Sequence, residues 1–342
     1  MAFLLEQAPH HSKDLARVGC EKFGITRQAI SRYFDELEAA GTLVATGKTS
    51  QRQYILRVLH EEILRFDLHG LEEDVVWRDR IEPLMGNLSA SALSVWQYCV
   101  CEMVNNAIDH SGGSQIVIRL KRTAVSTEII AQDDGVGIFR KIKEECHLED
   151  ERHAVLELAK GKLTTDPKRH TGEGIFFTSR MLDDFAILSG DVCFTHKHDE
   201  DEDWISERDK PDSGTVVFMI LSNNMTITPQ KVFDRFASDK HDYGFTKTVV
   251  PVRMARHGTE QLISRSQAKR LLVRIDRFSI VVFDFAAIET IGQSFADEIF
   301  RVFERAHPNI KFVAINVSPS VEQTIKRARS VRSRPDIGCH FG

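Results

Sequence analysis

Glu102-Met-Val-Asn-Asn106-Ala-Ile-Asp109-His110, Asp133-Asp-Gly135-Val-Gly137-Ile138 and Thr171-Gly172-Glu173-Gly174-Ile175 decide how this chain is read. In the first stretch Glu102, Asn106 and His110 recur every four residues, and Asp109 joins their stripe. That spacing predicts a helix carrying a carboxylate, an amide, a second carboxylate and an imidazole on one face. Val104, Ala107 and Ile108 lie on the other side and suit packing on a sheet. The second stretch follows the apolar run Glu128–Ala131 and ends it with glycines. The third is a Gly-rich turn opening into a helical pattern over Phe176–Leu182. A polar helix face with two glycine turns is what a nucleotide pocket needs. Backbone has to approach phosphates closely, and N–H groups at a helix start favour anions.

The order and wording of these motifs resemble the GHKL (Bergerat-fold) ATP-binding family, which holds gyrase-type ATPases, histidine kinases and anti-sigma serine kinases. The resemblance implies ATP and Mg2+ as cofactors. It implies that Asn106 coordinates magnesium on the ATP phosphates, that Asp109 shares this cofactor-binding face, and that Glu102 is the catalytic residue polarising the attacking group. It sets adenine against Asp133, whose carboxylate accepts from the exocyclic amine, with Gly135, Gly137 and Ile138 giving the turn. Thr171, Gly172, Glu173, Gly174 and Ile175 are then the residues that meet the phosphates. The Gly214-Thr215 pair before Val216–Leu221 puts Thr215 near adenine.

Composition sets the frame. The chain has 342 residues, 42% hydrophobic and 28% charged, so two or three ordinary domains with real cores are expected. A net charge of −5 demands neither a nucleic-acid nor a membrane partner. Met1-Ala-Phe-Leu-Leu5 is too short for a signal segment, and no apolar run approaches membrane-spanning length. A cytoplasmic protein with no membrane partner is expected. Cys20, Cys99, Cys101, Cys146, Cys193 and Cys339 are scattered, which reads as free thiols in a reducing compartment.

Residues 1–60 form a separate pattern. His11–Phe23 is helical, Gly24-Ile25-Thr26 is a tight turn with Thr26 as N-cap, and Arg27–Ala40 is a second helix burying Ile30, Phe34 and Leu37. Thr42–Thr46 and Gln51–Leu56 read as two strands. This is the winged helix-turn-helix order. Ile25–Tyr33 resembles recognition helices of bacterial transcription regulators. Thr26, Arg27, Gln28, Ser31 and Arg32 offer donors for bases and phosphates, and Lys48 and Arg52 belong to the wing. DNA is therefore an expected partner; a winged helix used only for protein contacts is the alternative.

Residues 61–95 read as helical without a His-Glu phosphoacceptor signature, which argues against an autophosphorylating histidine kinase. In the GHKL resemblance an ATP lid spans about residues 139–171. There Arg140–Lys162 reads as a polar helical stretch, and Lys160, Lys162, Lys168 and Arg169 either neutralise phosphate on lid closure or form a solvated face. His198–Asp203 reads as an exposed acidic loop. After a linker over 223–247, strands at Thr248–Arg253, Ser279–Phe285 and Asn309–Ile315 alternate with helices at Ser264–Arg274, Ser294–Ala306 and Ser320–Ala328. This part resembles STAS-like modules and, more distantly, anti-anti-sigma factors. In that resemblance Asp284 matches the strand aspartate and Ser294 stands at the phosphoacceptor position, although Gly292-Gln-Ser294-Phe295 replaces the usual Asp-Ser-Ser-Gly. Ser294 as an N-cap with Asp297 in the first turn is the other reading.

The expected fold is thus an α/β multidomain (α+β) one: a winged helix-turn-helix over 1–60, a Bergerat-fold α/β sandwich over 61–222 and a small STAS-like α/β domain over 248–342. The expected function is an ATP-binding cytoplasmic signalling or transcription regulator. The alternative is a serine/threonine protein kinase or ATPase of the anti-sigma type acting on a STAS-like domain. Expected partners are DNA and a STAS-domain or sigma-regulatory protein, and a homodimer is compatible with the reading.

Overall fold

Thr26 Oγ1 accepts from Ala29 N–H at 3.3 Å and caps one helix, while Gly24, at φ +64°, closes the helix before it. This corner opens the computed structural model of the chain, which describes residues 1–47, 51–163, 172–197, 202–237, 245–256 and 260–330. The chain divides into two compact units, each built from segments distant in sequence. The first holds Met1–Gly137, Met181–Leu188 and Asp212–Pro229; the second holds Ile138–Arg180, Ser189–Pro211 and Gln230–Gly342.

The first unit begins with α1 (Ala2–Gln7), α2 (Leu15–Phe23) and α3 (Arg27–Ala39), then the antiparallel hairpin of β1 (Leu43–Thr46) and β2 (Gln53–Leu56). Leu4, Leu15, Ile30, Phe34, Leu37 and Leu43 make its core, and Phe34 stacks on Tyr54 at 4.0 Å between ring centroids. The sequence pattern did not show α1, whose fully buried Leu4 completes that core.

A five-stranded sheet follows, in the order β3-β4-β5-β7-β6. Its strands are β3 (His60–Asp67), β4 (Gln115–Arg122), β5 (Ser126–Asp133), β6 (Asp184–Lys197) and β7 (Glu202–Ser222). β3 corrects the helical expectation for the start of 61–95. Its Glu, Leu and Arg residues suit helices, but pairing with β4 outweighs that preference and aims Leu64 into the core. Helix begins only with α4 (Glu73–Val75), continuing through wider turns over Val76–Ile81. Then α5 (Ala90–His110) is capped by Ser89, which accepts from Ala92 N–H at 3.0 Å. It buries Val95, Trp96, Cys99, Val100, Met103 and Val104. The sheet answers with Ile116, Ile118, Leu120, Ile129, Met219 and Leu221, all buried.

The second unit contains α6 (Ile138–Glu145), α7 (Glu151–Lys160), α8 (Gly174–Met181) and α9 (Pro229–Arg235). It also contains a parallel sheet of β8 (Lys247–Pro251), β9 (Ile280–Asp284) and β10 (Lys311–Ile315), in the order β10-β9-β8. Around it run α10 (Arg265–Leu272), α11 (Gln293–Asp297), which continues into α12 (Glu304–Ala306), and α13 (Pro319–Ser330). A capping box at Ser264 and Gln267 starts α10.

Here the expected lid differs from the sequence reading. Every residue of α7 from His153 to Lys160 is buried. Lys160 is neither a lid cation nor part of a solvated face. Its ammonium donates to Glu157 Oε1 at 2.5 Å, to Val273 O at 3.0 Å and to Arg270 O at 3.3 Å. Its own carbonyl accepts from Thr248 Oγ1 at 2.7 Å. Lys162 donates to Arg277 O at 3.1 Å and lies over the Phe278 ring. Lys168 and Arg169 lie outside the described residues. The linker, where the sequence predicts a short helix over Thr226–Phe236, contains α9, and Phe233 and Phe236 pack on Phe177 and Phe176, with ring centroids 4.6 and 4.8 Å apart. Phe245 joins the same cluster and carries it to Phe278.

Candidate nucleotide site

α5 places Glu102 and Asn106 one turn apart, both partly buried, with Asp109 exposed beyond them. The Nδ2 of Asn106 is buried and has no hydrogen-bond partner among the described residues, an arrangement that is costly unless something else satisfies it. Just past the helix, Ser111 Oγ donates to Ala107 O at 2.6 Å and accepts from Gly113 N–H at 2.9 Å, while its carbonyl accepts from Val136 N–H at 2.9 Å. The end of α5 is thereby tied to the turn that ends β5.

Asp133 closes β5. Its Oδ1 accepts from Gly135 N–H at 2.9 Å and from Thr215 N–H at 3.2 Å. Burial pushes its carboxyl above the usual range, against the pull of those two N–H groups. Two glycines make this corner feasible. A Cβ on Gly135 would stand 2.2 Å from Ser111 O, and one on Gly214, at φ +79°, 2.1 Å from Asp133 O. Backbone fills the space that side chains would occupy elsewhere, so the corner is closed by tightly packed main chain.

Asp133, Gly135 and Thr215 are therefore brought together within the first unit, with Gly137 at φ +90° at the end of the same turn. Ile138 opens α6 and belongs to the second unit. So does the Gly-rich turn: Gly172, at φ +72°, accepts from Leu163 N–H at 3.0 Å, and Glu173 O accepts from Phe177 N–H at 3.0 Å. Gly174 and Ile175 are the first residues of α8, so the turn stands at a helix start. Thr171 lies outside the described residues.

Sequence reasoning missed Asp134. It accepts from Ser114 N–H at 2.7 Å, Ser114 Oγ at 2.6 Å and Gln115 N–H at 2.9 Å, latching the start of β4 to the end of β5. The Ser111-Gly-Gly-Ser114 run directly after the polar helix was its signal. Among the described residues no group of His, Cys, Asp and Glu could itself hold a metal ion.

On α3, Thr26, Arg27, Gln28, Ser31 and Arg32 are all exposed. Lys48 lies outside the described residues, and Arg52 is engaged with Glu38 at 2.9 Å. Ser294 is exposed in the first turn of α11, but it is not the N-cap; Gly292 is. Ile263 approaches so closely that a Cβ on Gly292 would lie 2.7 Å from its Cα, and the helix starts from that glycine. Asp284 accepts from Ala286 N–H and Asn316 Nδ2, both at 2.9 Å.

Residues 267–322 match the family described as a STAS-like domain of unknown function (DUF4325). The chain carries a STAS-like domain. Comparison with curated proteins finds no match. The STAS-like match takes in α10, β9, α11, α12, β10 and the first residues of α13, and begins after β8. Among the described residues no helix is long and apolar enough to cross a membrane.

Proposed function

We propose that the chain is a regulator that binds Mg-ATP in a GHKL-type site and couples that binding to its STAS-like domain and to a DNA-contacting winged helix. The Asp133 corner is the observation that carries this reading. A carboxylate fixed by the Gly135 and Thr215 N–H groups and the Thr215 side chain, at a corner whose close backbone packing requires glycine, suits acceptance of an exocyclic amine. The unsatisfied Asn106 Nδ2 is a donor and fits a phosphate oxygen, so a role toward magnesium would fall to its Oδ1, and Glu102, one turn before it, fits orientation of an attacking group. When bound, Mg-ATP would supply a phosphoryl group for transfer.

Coupling has support inside the second unit. The helix that follows the Gly172 turn shares its aromatic core with Phe245 and Phe278, and Lys160 holds the carbonyls of Arg270 and Val273 in the STAS-like domain. The exposed donors of α3 support the DNA contact. The exposed Ser294 favours a second reading, a serine kinase acting on the STAS-like domain.

Titration calorimetry tests the nucleotide site. The parent is expected to bind Mg-ATP, and Asp133→Asn to weaken it by about 10- to 100-fold, as loss of a hydrogen bond to a charged group does. Equal affinity in parent and variant, both folded, refutes the site. Intact mass after incubation with Mg-ATP decides between the readings: added phosphate on Ser294 selects the kinase, and an unchanged mass with bound nucleotide selects the switch.

A further inference from the structure

β3 is the outer strand of the five-stranded sheet, and among the described residues nothing pairs with its other edge. Eight residues long, it contains no proline, which would remove a donor from that edge, and its charges are of both signs. Its side chains alternate. Glu61, Ile63, Arg65 and Asp67 are exposed, with Ile63 retaining 50% of its accessible surface, while Leu64 is buried. Its backbone alternates in step. Leu68 N–H donates to Ser114 O at 2.9 Å, continuing the register in which Asp67 faces Gln115. Hydrogen-bonded pairs in an antiparallel ladder recur every second residue. The even-numbered residues of β3 therefore bond to β4, and Glu61, Ile63 and Arg65 aim their N–H and C=O groups at the open edge.

We propose that this edge is an interface between two copies of the chain, with β3 pairing antiparallel to β3 of the second copy about a twofold axis at Ile63. In that register Ile63 faces Ile63, Glu61 faces Arg65, and by symmetry Arg65 faces Glu61. All of these residues lie on the same exposed face, as directly opposed residues in a sheet must. Each facing pair exchanges both backbone bonds, since these are the residues whose groups point outward. Charge selects this register over its neighbours. Moving the axis to Leu64 sets Glu61 against Asp67, and moving it to Arg65 sets two guanidinium groups together. Within its own sheet Glu61 faces Lys121 and Arg65 faces Val117, so the arrangement leaves Glu61 between two cations and gives Arg65 an anion. The inference is independent of nucleotide binding.

Sedimentation equilibrium and native mass spectrometry of the full chain test it. The parent is expected to be a dimer. Arg65→Glu and Glu61→Arg are each expected to weaken association at least about tenfold, because each places like charges opposite one another twice. The double swap, Glu61→Arg with Arg65→Glu, is expected to restore the dimer. An equimolar mixture of the two single variants is expected to form the heterodimer in preference to either homodimer, since both facing pairs are then complementary. Recovery in the double swap or the mixture excludes misfolding as the cause of the loss. A monomeric parent overturns the proposal. So does a dimer indifferent to the single swaps, or one that neither the double swap nor the mixture recovers.

Discussion

Ser114 N–H, Ser114 Oγ and Gln115 N–H converge on the Asp134 carboxylate and hold its pKa at about 2, below the ordinary 3.8. The depressed value means that the folded state releases this proton more readily than the unfolded chain. The latch therefore contributes its stability above the ordinary carboxylate pKa, and that contribution is lost as pH falls from about 4 to about 2. Asp134→Asn is expected to lower the urea midpoint near neutral pH, with the gap to the parent closing through that acid window. A gap that does not change with pH argues against the latch. Asp133, one residue earlier, is pushed the other way by burial. The sequence pointed to Asp133, but not to Asp134 or to the division of labour between them. Ser114 and the Thr215 N–H, which decide it, lie 20 and 82 positions away from their respective carboxylates.

At the scale of elements, α7 shows why some of the fold was legible and some was not. α3 was expected over Arg27–Ala40 and occupies Arg27–Ala39, because its cap, its buried stripe and the glycine after it are all local signals. The strands and helices after residue 247 were legible for the same reason. A helix buried on all sides shows no polar face, and the charges in α7 suggested solvent where Glu157 and Lys160 in fact pair with each other. β3 failed differently, since its strand character comes from the distant β4, where His60 faces Arg122 and Asp67 faces Gln115. Burial lowers the pKa of Lys160, against the pull of Glu157. Lys160→Met leaves a carboxylate buried without its cation and is expected to cost about 3–5 kcal/mol of stability in denaturant titrations. Adding Glu157→Leu is expected to recover most of that loss. A single variant as stable as the parent would show that the pair does not hold α7 in place.

For the molecule as a whole, the division into units was not legible from the motifs. Motifs are contiguous in sequence, whereas each unit gathers three separated segments. If the winged-helix reading holds, the full chain binds DNA with an affinity that falls as salt rises. Replacing both Arg27 and Arg32 with Ala is expected to weaken binding and to flatten the log–log salt dependence by about 0.9 for each phosphate no longer neutralised. A parent that does not bind a genomic fragment library at low salt assigns α3 to protein contacts. The buried helix α7 also bears on how the chain is made. The partners of Lys160 at Thr248, Arg270 and Val273 lie 88, 110 and 113 residues further on. At about 5–20 residues per second of synthesis, α7 emerges on the order of 5–20 s before the strand that covers it. For that interval α7 has α6 to pack on but not β8 or the carbonyls that Lys160 holds, so the second unit completes its core only after they emerge.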